Sequence, residues 1–122
     1  MLAQRSYLKV ADNSGAKALS VIGLGKGSGK RFAKLGDIVT CAVKGAVPNS
    51  QVKNHEIIKA IIVRTKKETK RKDGTYIRFS ENAAVVIDNN GIPKGTRIFG
   101  PIGIEIKKKG YAKIASLAKE VI

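Results

Sequence analysis

Tryptophan is absent, cysteine and histidine occur once each, and only nine acidic residues stand among the 122. Each shortage closes a class of function. A lone Cys41 cannot form an intramolecular disulfide or a cysteine-pair metal site, and its place in the apolar run Ile38-Val-Thr-Cys-Ala-Val43 suits a small buried thiol. His55, the only histidine, sits between Asn54 and Glu56 in a polar loop and is expected to face solvent. Without a second histidine or cysteine there is neither a zinc site nor a Cys/His nucleophile. The carboxylates are scattered: Asp12 and Asp88 adjoin asparagine in expected turns, Asp73 belongs to an Asp-Gly turn, and no two form an acid/base pair. The chain is therefore read as a non-enzyme with no catalytic, cofactor-binding or metal-binding residue. Long apolar runs are missing too, and nothing approaches the roughly 20 residues of a spanning helix. The opening Met1-Leu-Ala-Gln-Arg-Ser-Tyr7 lacks a signal peptide's apolar core and leads into strand-like sequence, so the protein is expected to stay where it is made.

What is abundant is positive charge. Lys and Arg number 24, for a formal net charge of +15; a small domain that merely keeps itself soluble carries about 2–8. Such an excess repels itself unless a polyanion neutralises it, which makes nucleic acid the leading partner class and an anionic membrane the second. Hydrophobic residues at 43% are enough for a packed core, and the length fits a single domain over 1–122.

The pattern is mainly β. Strands are expected at Tyr7–Val10, Lys17–Leu24, Ile38–Lys44, Ile57–Arg64, Thr75–Phe79 and Ala83–Asp88, with a short piece at Arg97–Phe99, each rich in Val, Ile or aromatics and bounded by Gly, Pro, Asn or Asp. Segments apolar on both faces, with Val39, Cys41 and Val43 opposite Ile38, Thr40 and Ala42, suit a barrel partly covered on its outside. The spacing favours antiparallel connections. Near the end the period changes: Tyr111, Ile114, Leu117, Ala118 and Val121 form the stripe of a short amphipathic helix, after the charged run 107–109.

Two segments are too polar for core. The loop Gly23-Leu-Gly-Lys-Gly-Ser-Gly-Lys-Arg31 fails both nucleotide-binding patterns: Arg31 stands where a P-loop needs Ser or Thr, and Ser28 where the dinucleotide motif needs its third glycine. Its glycines let backbone approach phosphate while Lys26, Lys30, Arg31 and Lys34 supply charge. The stretch Arg64 to Phe79 carries seven basic residues and Asp73-Gly74 at a hairpin turn, and reads as a two-stranded ribbon over about 64–79. An isolated hairpin is marginal in water, so the ribbon is expected to owe its order to a bound polyanion. With no tryptophan and no RNA-recognition signature, phosphate and shape contacts are favoured over base reading. The residues expected to meet RNA are Lys66, Lys67, Lys70, Arg71, Lys72 and Arg78 in the ribbon, Lys30 and Arg31 in the loop, and Asn13 and Ser14 as hydrogen-bonding groups. The alternative is a free-standing oligonucleotide-binding barrel, which would need several exposed aromatics on one sheet face.

Four linked motifs give the chain a resemblance. Val10-Ala-Asp-Asn-Ser-Gly-Ala16; then Ala60-Ile-Ile-Val63 with Asp73-Gly74, Phe79, Asn82 and Val85-Val86; then Gly95-Thr-Arg-Ile-Phe-Gly-Pro101; and finally Lys113-Ile-Ala-Ser-Leu-Ala118 stand in the order found in the L-fourteen family of large-subunit ribosomal proteins, bacterial or organellar type. The resemblance implies a small closed five-stranded β-barrel with a projecting β-ribbon and short C-terminal α-helices over about 102–122. It implies a structural constituent of the large ribosomal subunit that binds large-subunit rRNA, touches small-subunit rRNA across an inter-subunit bridge, and neighbours a protein of the L-nineteen family. In bacteria and organelles the same exposed face receives a ribosome-silencing factor, which by motif falls on Thr96, Arg97, Lys113 and Ser116. The implied location is the ribosome of the cytoplasm; an organelle-made copy would read the same. The chain departs from the family's bacterial members at Pro48-Asn-Ser-Gln-Val-Lys-Asn-His55, a loop less basic than theirs, and at Lys119, where proline is frequent.

Overall fold

The computed structural model describes residues 6–24, 32–50 and 52–122. Among these, the strands are β1 (Tyr7–Val10), β2 (Ala18–Gly23), β3 (Ile38–Val43), β4 (Ile57–Arg64), β5 (Thr69–Lys70), β6 (Tyr76–Ile77) and β7 (Ala83–Ile87), followed by helices α1 (Ile104–Lys108) and α2 (Ala112–Leu117). β1, β2, β3, β4 and β7 close into a barrel, and β5 pairs with β6 as a separate two-stranded sheet. The barrel strands begin and end within one residue of the positions expected from the sequence. The segment 97–99 is reduced to a bridge between Ile98 and Asp12, hemmed in by a left-handed Gly100 (φ 80°).

Each barrel strand pairs antiparallel with the next, as the spacing favours, and only the closing seam differs. β1 and β7 run parallel, with Lys9 opposite Ala83 and Val10 opposite Ala84. The cause is arithmetic: five strands that alternate in direction must close with one like-directed pair. Beyond that short ladder the carboxylate of Asp12 takes over from β1, its Oδ2 accepting the Val86 N–H at 2.9 Å.

Period-two alternation turns one sheet into two apolar layers. Val39, Cys41 and Val43 of β3 face the barrel interior with Leu8, Leu19, Val21, Ile58, Ala60, Ile62, Ala84 and Val86. Ile61, Val63, Ala83, Val85 and Ile87 face outward, beneath Ile98, Ile102, Ile106 and Ile114. This second layer explains why β7 is buried at all five positions. Both helices are too short to persist alone; each is held by one fully buried isoleucine, Ile106 or Ile114, worth about 1.5–3 kcal/mol of burial. The stripe expected from the sequence overshoots. α2 ends at Leu117, and Val121 instead pairs with Ile102 in a parallel bridge that folds the tail back across the entry to α1.

The reading of the segment from Arg64 as wholly too polar for core is corrected at its start. Arg64 is 7% exposed and Thr65 is fully buried. One Arg64 Nη donates to the carbonyls of Phe99 (2.8 Å) and Pro101 (3.2 Å), and the other meets Glu81 Oε1 at 3.2 Å. Gly100 is required beside it: its φ is left-handed, and a Cβ there would run into the Arg64 guanidinium. Burial pulls the arginine's pKa down while Glu81 holds it up.

Candidate nucleic-acid interface

Thr65 starts the ribbon from a fixed point. Its carbonyl accepts from Phe79 N–H (2.9 Å), its hydroxyl donates to the Lys67 carbonyl (3.0 Å), and Lys66 N–H donates to Asn82 Oδ1 (2.8 Å). At the far end, Asp73 Oδ1 accepts from the amide and hydroxyl of Thr75 at 3.0 and 2.6 Å, bonds that hold its carboxyl below the usual range. Gly74, at φ 88°, completes the turn as its sequence suggests.

Between these ends the ribbon has two faces. Ile77 and Phe79 pack on the outer apolar layer. On that side too, Arg71 Nη2 pairs with Glu105 Oε1 at 3.0 Å and donates to the Ile122 carbonyl, tying the ribbon to α1 and the tail. The ribbon's order thus has a source within the chain, where the sequence suggested a polyanion. The opposite face exposes Lys70, Lys72, Tyr76 and Arg78, with Lys66 and Lys67 exposed at its root. No ion pair joins Lys66, Lys67, Lys70, Lys72 or Arg78 to an acid among the described residues.

A groove of about 470 Å³ runs beside the ribbon, bordered by Lys70, Arg71 and Lys72 of the ribbon and by Lys34, Lys108 and Lys109, with Leu35 and Ile104 in its lining. Its two acids, Asp37 and Glu105, are engaged by Lys109 and Arg71. Lys34 is held by the turn in which its own N–H donates to Asp37 Oδ2 (2.8 Å), and Lys109 is neutralised by Asp37 Oδ1 at 2.8 Å. Sequence reasoning missed Lys108 as a site residue. The run 107–109 signalled charge, but only the fold brings Lys108 and Lys109 to the groove and leaves Lys109 paired with Asp37. The expected site residues Lys30 and Arg31 lie outside the described residues.

Asn13 and Ser14 line neither the ribbon nor its groove, and their side chains are engaged within the fold. Asn13 Oδ1 accepts from Thr96 and Arg97 N–H at 2.8 and 3.1 Å, and its Nδ2 donates to Thr96 Oγ1 at 2.9 Å. Gly95 must be glycine here, since a Cβ would sit 2.7 Å from Asn13 Oδ1. Ser14 is 1% exposed, and its hydroxyl donates to Asp12 Oδ1 at 2.6 Å. Burial raises the Asp12 carboxyl despite the bonds from Ser14 and Val86, the usual cost of desolvating a carboxylate.

The loop pinned by Asn13 presents Thr96 and Arg97 to solvent, and Lys113 and Ser116 are exposed on α2, where Ser116 Oγ donates to the Lys113 carbonyl at 2.7 Å. A pocket of about 400 Å³ joins Arg97, Ile98 and Phe99 to Leu117 and Lys119, which sets the loop at 97–99 beside the end of α2. Elsewhere, His55 is exposed, and Cys41 is buried in the barrel with its thiol pushed up to about 12. Residues 1–122, the whole chain, match the family described as ribosomal protein L14p/L23e.

Proposed function

The chain belongs to the ribosomal protein L14p/L23e family, structural proteins of the large ribosomal subunit, and on that premise we propose that it grips large-subunit rRNA by the ribbon and the basic groove beside it. The observation that carries this reading is the line of exposed cations, Lys66, Lys67, Lys70, Lys72 and Arg78, which meet no acid among the described residues, on a ribbon tied to α1 through Arg71 and Glu105. Phosphates meeting them release counterions and fix the protein's register without reading sequence. Arg71 plays a mixed part, holding the ribbon to Glu105 while bordering the groove. Lys30 and Arg31 extend the same chemistry along the glycine loop. The mechanism is neutralisation and shape fit, with no catalytic step and no cofactor.

The face formed by Thr96, Arg97, Lys113 and Ser116 is assigned to protein or small-subunit contact. It serves the inter-subunit bridge, and in a bacterial or organellar ribosome it would receive a silencing factor. A protein of the L-nineteen family is the expected neighbour. Two things support this separation of roles: the ribbon's cations are many and unpaired, while the Asn13-pinned loop offers few charges and a shaped pocket.

Sedimentation of tagged protein from lysate tests the assignment. Cofractionation with large subunits that survives a high-salt wash is expected, and protein left at the top of the gradient would refute it. For the ribbon, replacing Lys70, Arg71 and Lys72 together should lower the slope of log K against log salt by about 0.7–0.9 for each phosphate no longer engaged. An unchanged slope would remove the ribbon from the interface.

A further inference from the structure

We infer that the exposed face of the ribbon is a stacking platform for an unpaired RNA base, with Tyr76 as the ring and Lys70, Lys72 and Arg78 holding the flanking phosphates. The inference rests on the rRNA reading above and narrows it to the kind of nucleotide engaged.

The ring is out of place for folding. Along 76–79 the side chains alternate, with Ile77 and Phe79 turned onto the apolar layer and Tyr76 and Arg78 turned away. Tyr76 is 63% exposed, and its phenol makes no hydrogen bond among the described residues. Lys70 stands directly opposite it in the β5–β6 register. Cross-strand partners share a face of a ribbon, so cation and ring present one surface. Of the acids nearby, Asp73 is committed to Thr75 at the tip, and Glu68, two residues before Lys70, borders the face only at its Arg78 end, away from the ring.

Ring and cations together select the occupant. A paired helix keeps its base faces stacked on one another and offers only phosphates and groove edges; a bulged or looped-out base has a free face for an aromatic ring. Lysines alone would serve either form of RNA, whereas a solvent-facing ring among them finds a partner only in the second. Tyr7, 68% exposed on β1, lacks this setting, because its neighbour Lys9 is already paired with Glu81 at 3.0 Å.

The test uses the full chain and two short RNA hairpins that differ only in whether a single bulged 2-aminopurine is present. The protein should bind the bulged hairpin about 10-fold more tightly than the paired one and should quench the 2-aminopurine emission. Tyr76→Ala should abolish both the preference and the quenching, while leaving affinity for the paired hairpin and its salt slope unchanged. Tyr76→Phe, which keeps the ring, should retain them. Equal binding of the two hairpins by the unaltered protein, or a preference that persists in Tyr76→Ala, would overturn the platform and leave phosphate gripping intact. Failure to bind either hairpin would overturn the rRNA reading of the ribbon and the platform with it.

Discussion

Arg64 and the cations of the ribbon follow one another in the sequence and carry the same charge, yet the fold uses them in opposite ways. Arg64 is buried, its Nη groups divided between two carbonyls and Glu81. Lys66, Lys67, Lys70, Lys72 and Arg78 reach solvent and meet no acid among the described residues. The first kind of charge fastens the loop at 99–101 to the end of β4, and removing it leaves uncompensated polar groups inside. The second contributes almost nothing to the fold, and its self-repulsion is relieved only when a polyanion arrives. Arg71 lies between the two, a surface cation with a structural partner.

This contrast can be broken in order of expected size. Arg64→Ala should cost about 3 kcal/mol in urea or thermal unfolding, since it strands two carbonyls and empties the buried place of a guanidinium that also meets the half-exposed Glu81. The fraction that remains folded should bind RNA with an unaltered salt slope. Gly100→Ala should cost about 1–2 kcal/mol from its left-handed φ and the clash with Arg64. Combined with Arg64→Ala it should cost less than the sum, because part of its penalty is the guanidinium it strikes. Arg71→Gln should cost up to about 1 kcal/mol along with some RNA affinity. Lys70→Gln with Lys72→Gln should leave the melting point within error while lowering the salt slope. A pair of lysine variants that melted early, or an Arg64 variant that did not, would erase the distinction.

The smallest effect is in pH. Glu81 is held below its ordinary 4.5, first by its hydrogen bond with Lys9 and then by the Arg64 charge. The native state therefore binds fewer protons there than the unfolded chain. Its contribution is present above about pH 4.5 and is lost as pH falls through the depressed native value. Asp12 runs the other way: its native pKa is raised, the folded state keeps the proton longer, and stability falls as pH rises from 3.8 through the native value. Melting curves of Glu81→Gln should converge with those of the unaltered protein in acid and diverge toward neutrality. Equal separation at every pH would remove Glu81 from the linkage.

The barrel was legible because its signal is repetitive. Val39, Cys41 and Val43 alternate with Ile38, Thr40 and Ala42, and a double-faced apolar strand has few places to go. The Asp73-Gly74 turn was legible because its geometry demands those residues. What escaped depends on distant partners. Nothing near Arg64 announces that carbonyls at 99 and 101 will enclose it, and nothing near Asn13 announces that the amides of Thr96 and Arg97 will claim its Oδ1. α1 has no signal of its own in the pattern, because five residues make no period, and was expected only through the resemblance, which implied helices over about 102–122. It is the strut that brings Ile106 to the outer apolar layer and Lys108 to the groove. For the interface, the sequence showed the charge and its position on a hairpin. It could not show which ribbon face is covered, and so could not separate Arg71 from Lys70 or single out Tyr76.

The parallel seam between β1 and β7 has a consequence in time. The first strand made is completed by the last, and Asp12 finds the Val86 amide across 74 residues of chain. Until residue 87 is available, β1, β2, β3 and β4 can form only an open curl, with β1 and β4 as raw edges and apolar side chains on both faces. Such long-range closure is slow, and the species that waits for it is prone to sticking to its neighbours. A chain arrested before β7 should therefore be aggregation-prone whatever its charge, and the newly made protein is safest when released whole.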